Sequence, residues 1–267
     1  MSAVTIEDVG ERKRTAAKRR DIIINIASPL GLLIAWEAAA HAGLIDVRFF
    51  PAPSSIIRAL IGIAKSGELW ENASISLQRL VLGFLLGGIP ALVLGIIMGI
   101  SRPIRAFIDP LIAATYPIPK SSILPLILLI FGLGEMSKVM MVAIGVFYPI
   151  AINATAGVLQ INRVYIDVGR AFKANPYETF RTIALPGALP FIMTGVKLGA
   201  GLGLILIAIA EMVGAKSGIG YMIWSAWETF SVERMYVGLF VIAIIGFVMT
   251  LLLNELERWL IPWKTEA

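Results

Sequence analysis

No cysteine occurs in the 267 residues, which excludes disulfides, thiolate nucleophiles and cysteine metal sites. Histidine occurs once, as His41 near the end of an apolar run, so no histidine cluster exists to hold a metal. Charge is scarce: Asp, Glu, Lys and Arg make up 15% of the chain, against 58% hydrophobic residues. That balance lies well above a globular average and excludes an ordinary water-soluble domain. A phosphate loop is missing too. "MVGAKSGIG" comes nearest, but Ala215 precedes Lys216-Ser217 and Ala210 stands where the motif's other glycine belongs.

What is present is long uncharged sequence. Leu80–Ser101, Val139–Asn162 and Met235–Asn254 run for 22, 24 and 20 residues without a charge. Crossing a bilayer as helix takes roughly 20 apolar residues, and backbone in lipid must pair internally. Three further spans are expected at Ile22–Trp36, at Pro110–Gly134 around Lys120, and at Thr182–Ala210 around Lys197. The expectation is an all-α protein with about six membrane spans. The first span reads as an anchored helix rather than a cleaved signal.

Basic residues orient the chain. The tail "ERKRTAAKRR" puts six Lys/Arg before the first span; with it inside, inner segments hold 14 and outer segments 7. Positive charge accumulates on the cytoplasmic side, so both termini and the segment 163–181 are expected there. Touching anionic lipid accounts for the tail; no folded domain supports nucleic-acid binding.

The spans have their own punctuation. Gly83/Gly87, Gly95/Gly99, Gly195/Gly199 and Gly199/Gly203 are each four apart, a spacing that lets membrane helices approach closely. Pro117, Pro119 and Pro125 argue against a straight third span. Tyr116, Lys120, Ser121 and Ser122 then face a pathway or a helix seam; alternatively the span starts after Pro119 and Lys120 snorkels to the interface. Ile56, Ile57, Leu60, Ile61 and Ala64 predict a short amphipathic helix at the outer surface, with Arg58 and Lys65 off its stripe.

The segment "DVGRAFKANPYETFRTIALPGALP" is the most polar internal stretch. Asn175 and Pro176 form a helix start signal, so two short helices joined at a bend are expected. Val168, Phe172, Tyr177 and Phe180 supply apolar faces that suit a partner's groove, or the ends of the chain's own spans.

Asp167-Val168-Gly169, then Lys173, then Ile183-Ala184-Leu185-Pro186 resembles the cytoplasmic loop signature of ABC importer permease subunits, where Glu-Ala-Ala, a glycine and Ile-x-Leu-Pro recur at this spacing. "PAPSSIIRAL", "YPIPKSSILPLILLIFGLGE" and "AIAEMVGAKSGIGYMI" are similar to the branch serving sulfonates, taurine and nitrate. The resemblance covers most of the chain from Pro51 to Glu257. Asp167 replaces the glutamate, Val168 and Gly169 the alanines, and Lys173 the glycine. Because lysine lacks glycine's backbone freedom, regular helix is expected at 173.

The resemblance implies a type I importer permease in the bacterial inner membrane. Its partners are a second copy of the chain, two cytoplasmic ATPases that carry ATP and Mg, and an external binding protein. This chain itself is expected to bind no cofactor or metal and to catalyse nothing. Its organisation reads as a tail at 1–21, a first span with external segment at 22–76, a core at 77–254 with a coupling loop at 163–184, and a tail at 255–267. Coupling candidates are Asp167, Gly169, Arg170, Phe172, Lys173, Tyr177 and Arg181. Cationic residues Arg79, Lys120 and Lys197, with Tyr116, Ser121 and Ser122, are pathway candidates for a small anion. Glu211, Tyr221, Trp224, Trp227, Glu228 and Glu233 are candidates for an outer gate or docking rim. Tyr221, Trp224, Trp227 and Phe230 are spaced to form one helical stripe. Other solutes (aromatic acids, bicarbonate, pyrimidine precursors) stay open, as does an ion-coupled transporter built on a buried carboxylate such as Glu37, Asp109, Glu211 or Glu255.

Overall fold

The computed structural model describes residue 24 and residues 27–263. The basic tail at 1–21, the first residues of the expected first span and the last four residues lie outside the described residues. Among the described residues the chain is helical without a strand. Helix α1 covers 27–41, and α2 (Pro53–Lys65), α3 (Glu68–Ile100) and α4 (Arg102–Thr115) follow. A 3-10 turn at Lys120–Ile123 leads into α5 (Leu124–Phe131), then α6 (Glu135–Leu159). Next come α7 (Arg163–Ala171), α8 (Pro176–Thr179), a π turn at Phe180–Ala184, α9 (Leu185–Met212), α10 (Ile219–Glu228) and α11 (Val232–Leu260).

Four helices are long and apolar enough to cross a membrane: Glu68–Ile100, Glu135–Leu159, Tyr177–Met212 and Val232–Leu260. A fifth crossing exists if the bent pair Arg102–Thr115 and Lys120–Phe131 counts as one. Among the described residues four or five spans are found, so the expected count of six is not confirmed. The expected first span begins outside the described residues, and its described part is the helix 27–41.

The segment expected as the third span is a bent pair of helices. It begins at Arg102, not Pro110, and turns through 87° between its two helices. The bend falls where Pro117 and Pro119 withhold backbone donors. Helix α4 buries no residue, whereas α5 seats Leu124 and Ile127 against Met141, Leu206 and Ala210.

Helix α6 is the centre of the molecule, with Val142, Val146, Ile150, Ala151 and Ala154 all 1% exposed or less. The four-residue glycine spacing explains why neighbours come so near. A Cβ on Gly95 of α3 would stand 2.5 Å from the Ala151 carbonyl oxygen, and one on Gly195 of α9 would stand 2.8 Å from that of Pro149. Backbone meets backbone on both sides, which substitutes dispersion contacts for the hydrophobic drive that lipid cannot supply. Helices α3, α6 and α9 form one tightly packed core.

Helix α11 is different. Its buried residues, Val237, Gly238 and Val241, all lie in its first half. Beyond them it stands off from α3 and α9, leaving an aliphatic crevice of about 420 Å³ lined by Leu80, Phe84, Ala200, Ile244, Val248 and Leu252. Helix α2 packs against α11 through Ile56 and Ile63, while Ile57 and Ile61 are exposed, so the buried face is rotated from the predicted stripe.

Candidate functional site

The loop 163–184 is shaped by local chemistry. At the start of α8 the Glu178 N–H donates to Asn175 Oδ1 and the Asn175 N–H to Glu178 Oε2, both at 2.9 Å. This reciprocal capping box fixes the chain's entry, with Pro176 opening the helix. The end of α7 overturns one expectation. Lys173 adopts φ 56°, and the Ala174 N–H reaches back to the Gly169 carbonyl at 2.9 Å. That six-to-one closure is the Schellman arrangement, so the lysine does take the left-handed backbone that a glycine would.

Gly169 is buried, and a Cβ there would stand 2.8 Å from Ile183 Cδ1. The missing methyl lets α7 lie against the π turn. That turn stands where Pro186 offers no N–H to the preceding carbonyls, and its closing bond runs from the Leu185 N–H to the Phe180 carbonyl. The loop does not end at its proline: Tyr177–Met212 runs as one helical length of 36 residues.

Outward, the loop presents Val164, Tyr165, Val168, Phe172 and Tyr177, with Phe172 84% exposed. Arg181 and Asp167 are exposed beside them, and the side chain of Arg170 lies outside the described residues.

At the bend of the third span, Lys120 Nζ donates to the carbonyl oxygens of Thr115, Tyr116 and Ile118, each at 3.0 Å. It also lies 4.0 Å from the Tyr148 ring centre. An ammonium has three donors, and all three are taken. Pro119 has no N–H to offer Thr115, so the lysine fills the break that the prolines make. Ser121 and Ser122 are exposed next to it, as is Tyr116.

The end of the bundle remote from this loop holds a buried ionic knot. Arg79, 3% exposed, uses all five of its donors. Nε and Nη2 grip Glu135 at 2.5 and 2.6 Å, Nη1 reaches Glu211 at 2.9 Å and the Ser217 carbonyl at 2.7 Å, and Nη2 contacts Ser217 Oγ at 3.3 Å. Ser76 Oγ donates to Glu211 Oε2 at 2.7 Å and accepts the Ile219 N–H at 2.8 Å. The Gly218 N–H goes to Asn72 Oδ1 and the Gly220 N–H to Glu211 Oε2. The first amides of α10 are thus capped from α3 and α9, with Glu211 as a built-in anion at a helix N-terminus. A side chain at Gly218, whose φ is 111°, would collide with that carboxylate.

Two expectations therefore change. Arg79 is not an open cation at a mouth, and Glu211, 1% exposed, is not a rim charge. Lys197 is also engaged, pairing with Glu257 and so tying the far part of α11 to α9. In α10, the Trp224 and Trp227 rings meet at a tilt of 40° with centres 4.8 Å apart, Trp224 Nε1 donates to Glu228 at 2.9 Å, and Tyr221 is half-buried. Phe230 leaves the expected stripe because the helix ends at Glu228 and Phe230 turns to φ 53°. Glu233 is exposed at the start of α11.

Sequence reasoning missed Asn72, Ser76, Glu135 and Lys138. Lys138, 1% exposed, donates to the carbonyls of Leu133 and Gly134. The available signal was a carboxylate and a lysine three residues apart, directly ahead of the uncharged run at 139.

A family profile described as "Binding-protein-dependent transport system inner membrane component" matches residues 91–265. The taurine transport system permease protein TauC of Escherichia coli (strain K12) is 34% identical, covering 93% of this chain and 92% of that protein. The putative aliphatic sulfonates transport permease protein SsuC of Bacillus subtilis (strain 168) is 30% identical, covering 95% and 92%. Among solved structures, the MetNI methionine ABC transporter in inward-facing conformations superposes with a TM-score of 0.53 at 20% identity, covering 72% of this chain and 94% of that one. That likeness speaks for the fold, and the sequence matches for descent: this chain belongs to the family of binding-protein-dependent transport system inner membrane components.

Proposed function

We propose that the chain is the membrane-spanning subunit of an ABC importer that takes up small sulfonates, with taurine and alkanesulfonates as the first substrates to consider. The observation that carries this reading is the identity to TauC along 93% of the chain, joined by two SsuC proteins at similar coverage. In this reading two copies assemble with two separate ATPase subunits, which carry ATP and Mg. An external binding protein delivers the substrate, and both termini face the cytoplasm.

The exposed apolar face of Val168, Phe172 and Tyr177 is the surface that docks on the ATPase. Its helical continuity with α9 carries the ATPase's movement into the spans. Tyr116, Ser121 and Ser122 remain pathway candidates, and Trp224, Trp227, Glu228 and Glu233 remain candidates for the receiving rim. An ion-coupled transporter needs a buried carboxylate free to exchange ions, and Glu211 is already held by Arg79.

Proteoliposomes carrying the chain with its ATPase and binding protein test the reading. Uptake of labelled taurine or ethanesulfonate that needs ATP and every component is expected. Uptake driven by an ion gradient without ATP would overturn the importer. A preference for a neutral or cationic solute would overturn the sulfonate assignment alone.

A further inference from the structure

The knot around Arg79 is lopsided. The Glu211 side chain is fully removed from solvent and the Arg79 side chain nearly so, whereas that of Glu135 is 69% exposed. Parting Arg79 from Glu211 would strand two buried charges, while parting it from Glu135 hands one carboxylate to water and leaves the Arg79–Glu211 pair in place, with the buried Lys138 ammonium held by the Leu133 and Gly134 carbonyls. The arrangement has one strong arm and one weak arm.

The weak arm sits at a telling place. Glu135 opens α6 directly after the turn Gly132–Gly134, in which Gly132 has φ 73°. That turn is the exit from α5, a short and thinly anchored membrane element. Helix α5 has eight residues, buries Leu124 and Ile127, and leaves Leu126, Leu129 and Ile130 exposed. Polar ties hold it at both ends: the Lys120 ammonium before it, and after it Lys138 on the Leu133 and Gly134 carbonyls together with the Glu135 fork on Arg79. The frame around it is rigid, because α3, α6 and α9 meet backbone to backbone and α10 is capped from α3 and α9.

We propose that the Arg79–Glu135 fork is a latch that holds the α5–α6 turn against the fixed knot, and that its release frees α5 to move during transport. Arg79 is then a positioning residue with a permanent partner, Glu211, and an exchangeable one, Glu135. A cationic group arriving from outside the knot, such as a basic residue of a docked protein, would compete for Glu135 and open the latch. The transport half of the proposal rests on the importer reading; the mechanical half does not.

The chain lacks cysteine, so single introduced thiols report without background. Leu124→Cys places one under α5, at a site 5% exposed, and Ala154→Cys places one in the core, at a site 0% exposed. In nanodiscs, a water-soluble thiol reagent should label Leu124→Cys roughly two- to fivefold faster when Glu135→Gln is added, as loss of a half-exposed ion pair allows. Glu135→Asp, which keeps the charge, should stay near the parent rate, and Ala154→Cys should stay unlabelled throughout. An unchanged rate at Leu124→Cys overturns the latch. So does equal acceleration at Ala154→Cys, which would mean that Glu135 holds the whole fold. In the assembled transporter, Glu135→Gln should raise ATP hydrolysis measured without binding protein; unchanged basal hydrolysis removes the latch from the transport cycle. Absence of ATP-driven uptake by the parent complex would sink the importer reading and leave the thiol result standing.

Discussion

Arg79 of α3 and Glu211 of α9 meet at 2.9 Å although 132 residues separate them along the chain. Breaking one partner of such a pair strands the other, at a cost of about 3–5 kcal/mol, whereas replacing both by apolar residues of like volume is often close to neutral. Arg79→Met is therefore expected to lower the unfolding temperature in nanodiscs sharply, and Arg79→Met with Glu211→Leu to recover part of the loss, the rest going to the Gly220 N–H and Ser76 hydroxyl that Glu211 no longer accepts. Singles whose effects simply add in the double would show that the two side chains do not act as a pair.

Lys120 should behave as a structural donor rather than as a substrate contact. Hydrogen bonds from a charged group are worth about 1.5–3 kcal/mol each in favourable cases, and three carbonyls depend on this ammonium. Lys120→Met is expected to destabilise the third span by roughly 2–4 kcal/mol, less than the three bonds' sum because the freed carbonyls can relax. Amide exchange over 115–124 should accelerate while the affinity for a sulfonate is unchanged. Loss of anion transport with unchanged exchange would return the lysine to the pathway.

Lys173 carries a backbone conformation that costs a non-glycine residue about 1–2 kcal/mol. Lys173→Gly should therefore slow amide exchange around 169–174 and stabilise the loop by up to about 1 kcal/mol, after glycine's own entropy is subtracted. Faster exchange in the glycine variant would mean that the Schellman closure is absent in the membrane.

Phe172→Asp tests the docking face. Phe172 is 84% exposed, so a charge there costs the isolated chain nothing in burial. Membrane insertion and thermal stability should match the parent, while co-purification of the ATPase subunit falls at least tenfold, the loss expected on removing a central aromatic anchor. Undiminished co-purification would move the contact elsewhere on the loop.

Several features were legible because their causes are local. Glycines four apart foretold close approach of membrane helices, though not that α6 is the partner of both α3 and α9. Asn175-Pro176 foretold a helix start, although the Glu178 half of the capping box went unread. Pro117 and Pro119 foretold the bend. What escaped reading depends on partners distant in sequence. Nothing near Arg79 announces Glu135 or Glu211, and a cation at a span end reads the same whether it meets water or a carboxylate. Lys173 escaped for the opposite reason: propensity spoke against its conformation, and the Schellman closure with its neighbours overrode it. The six-span count leaned on 22–36, whose beginning lies outside the described residues.

Helix α11 is held to the core by side-chain packing in its first half and by the Lys197–Glu257 pair near its other end, with an aliphatic crevice between. Leu239, Phe240, Phe247, Leu251, Leu252 and Trp259 are all more than half exposed. The far half of this helix is thus packed by its own chain over little of its surface. The size and apolar lining of the crevice suit acyl-chain carbon, so lipid tails are its expected occupant between α3 and α11. The tilt of the helix should then vary with the length and unsaturation of the surrounding tails, and differ between a bilayer and a micelle.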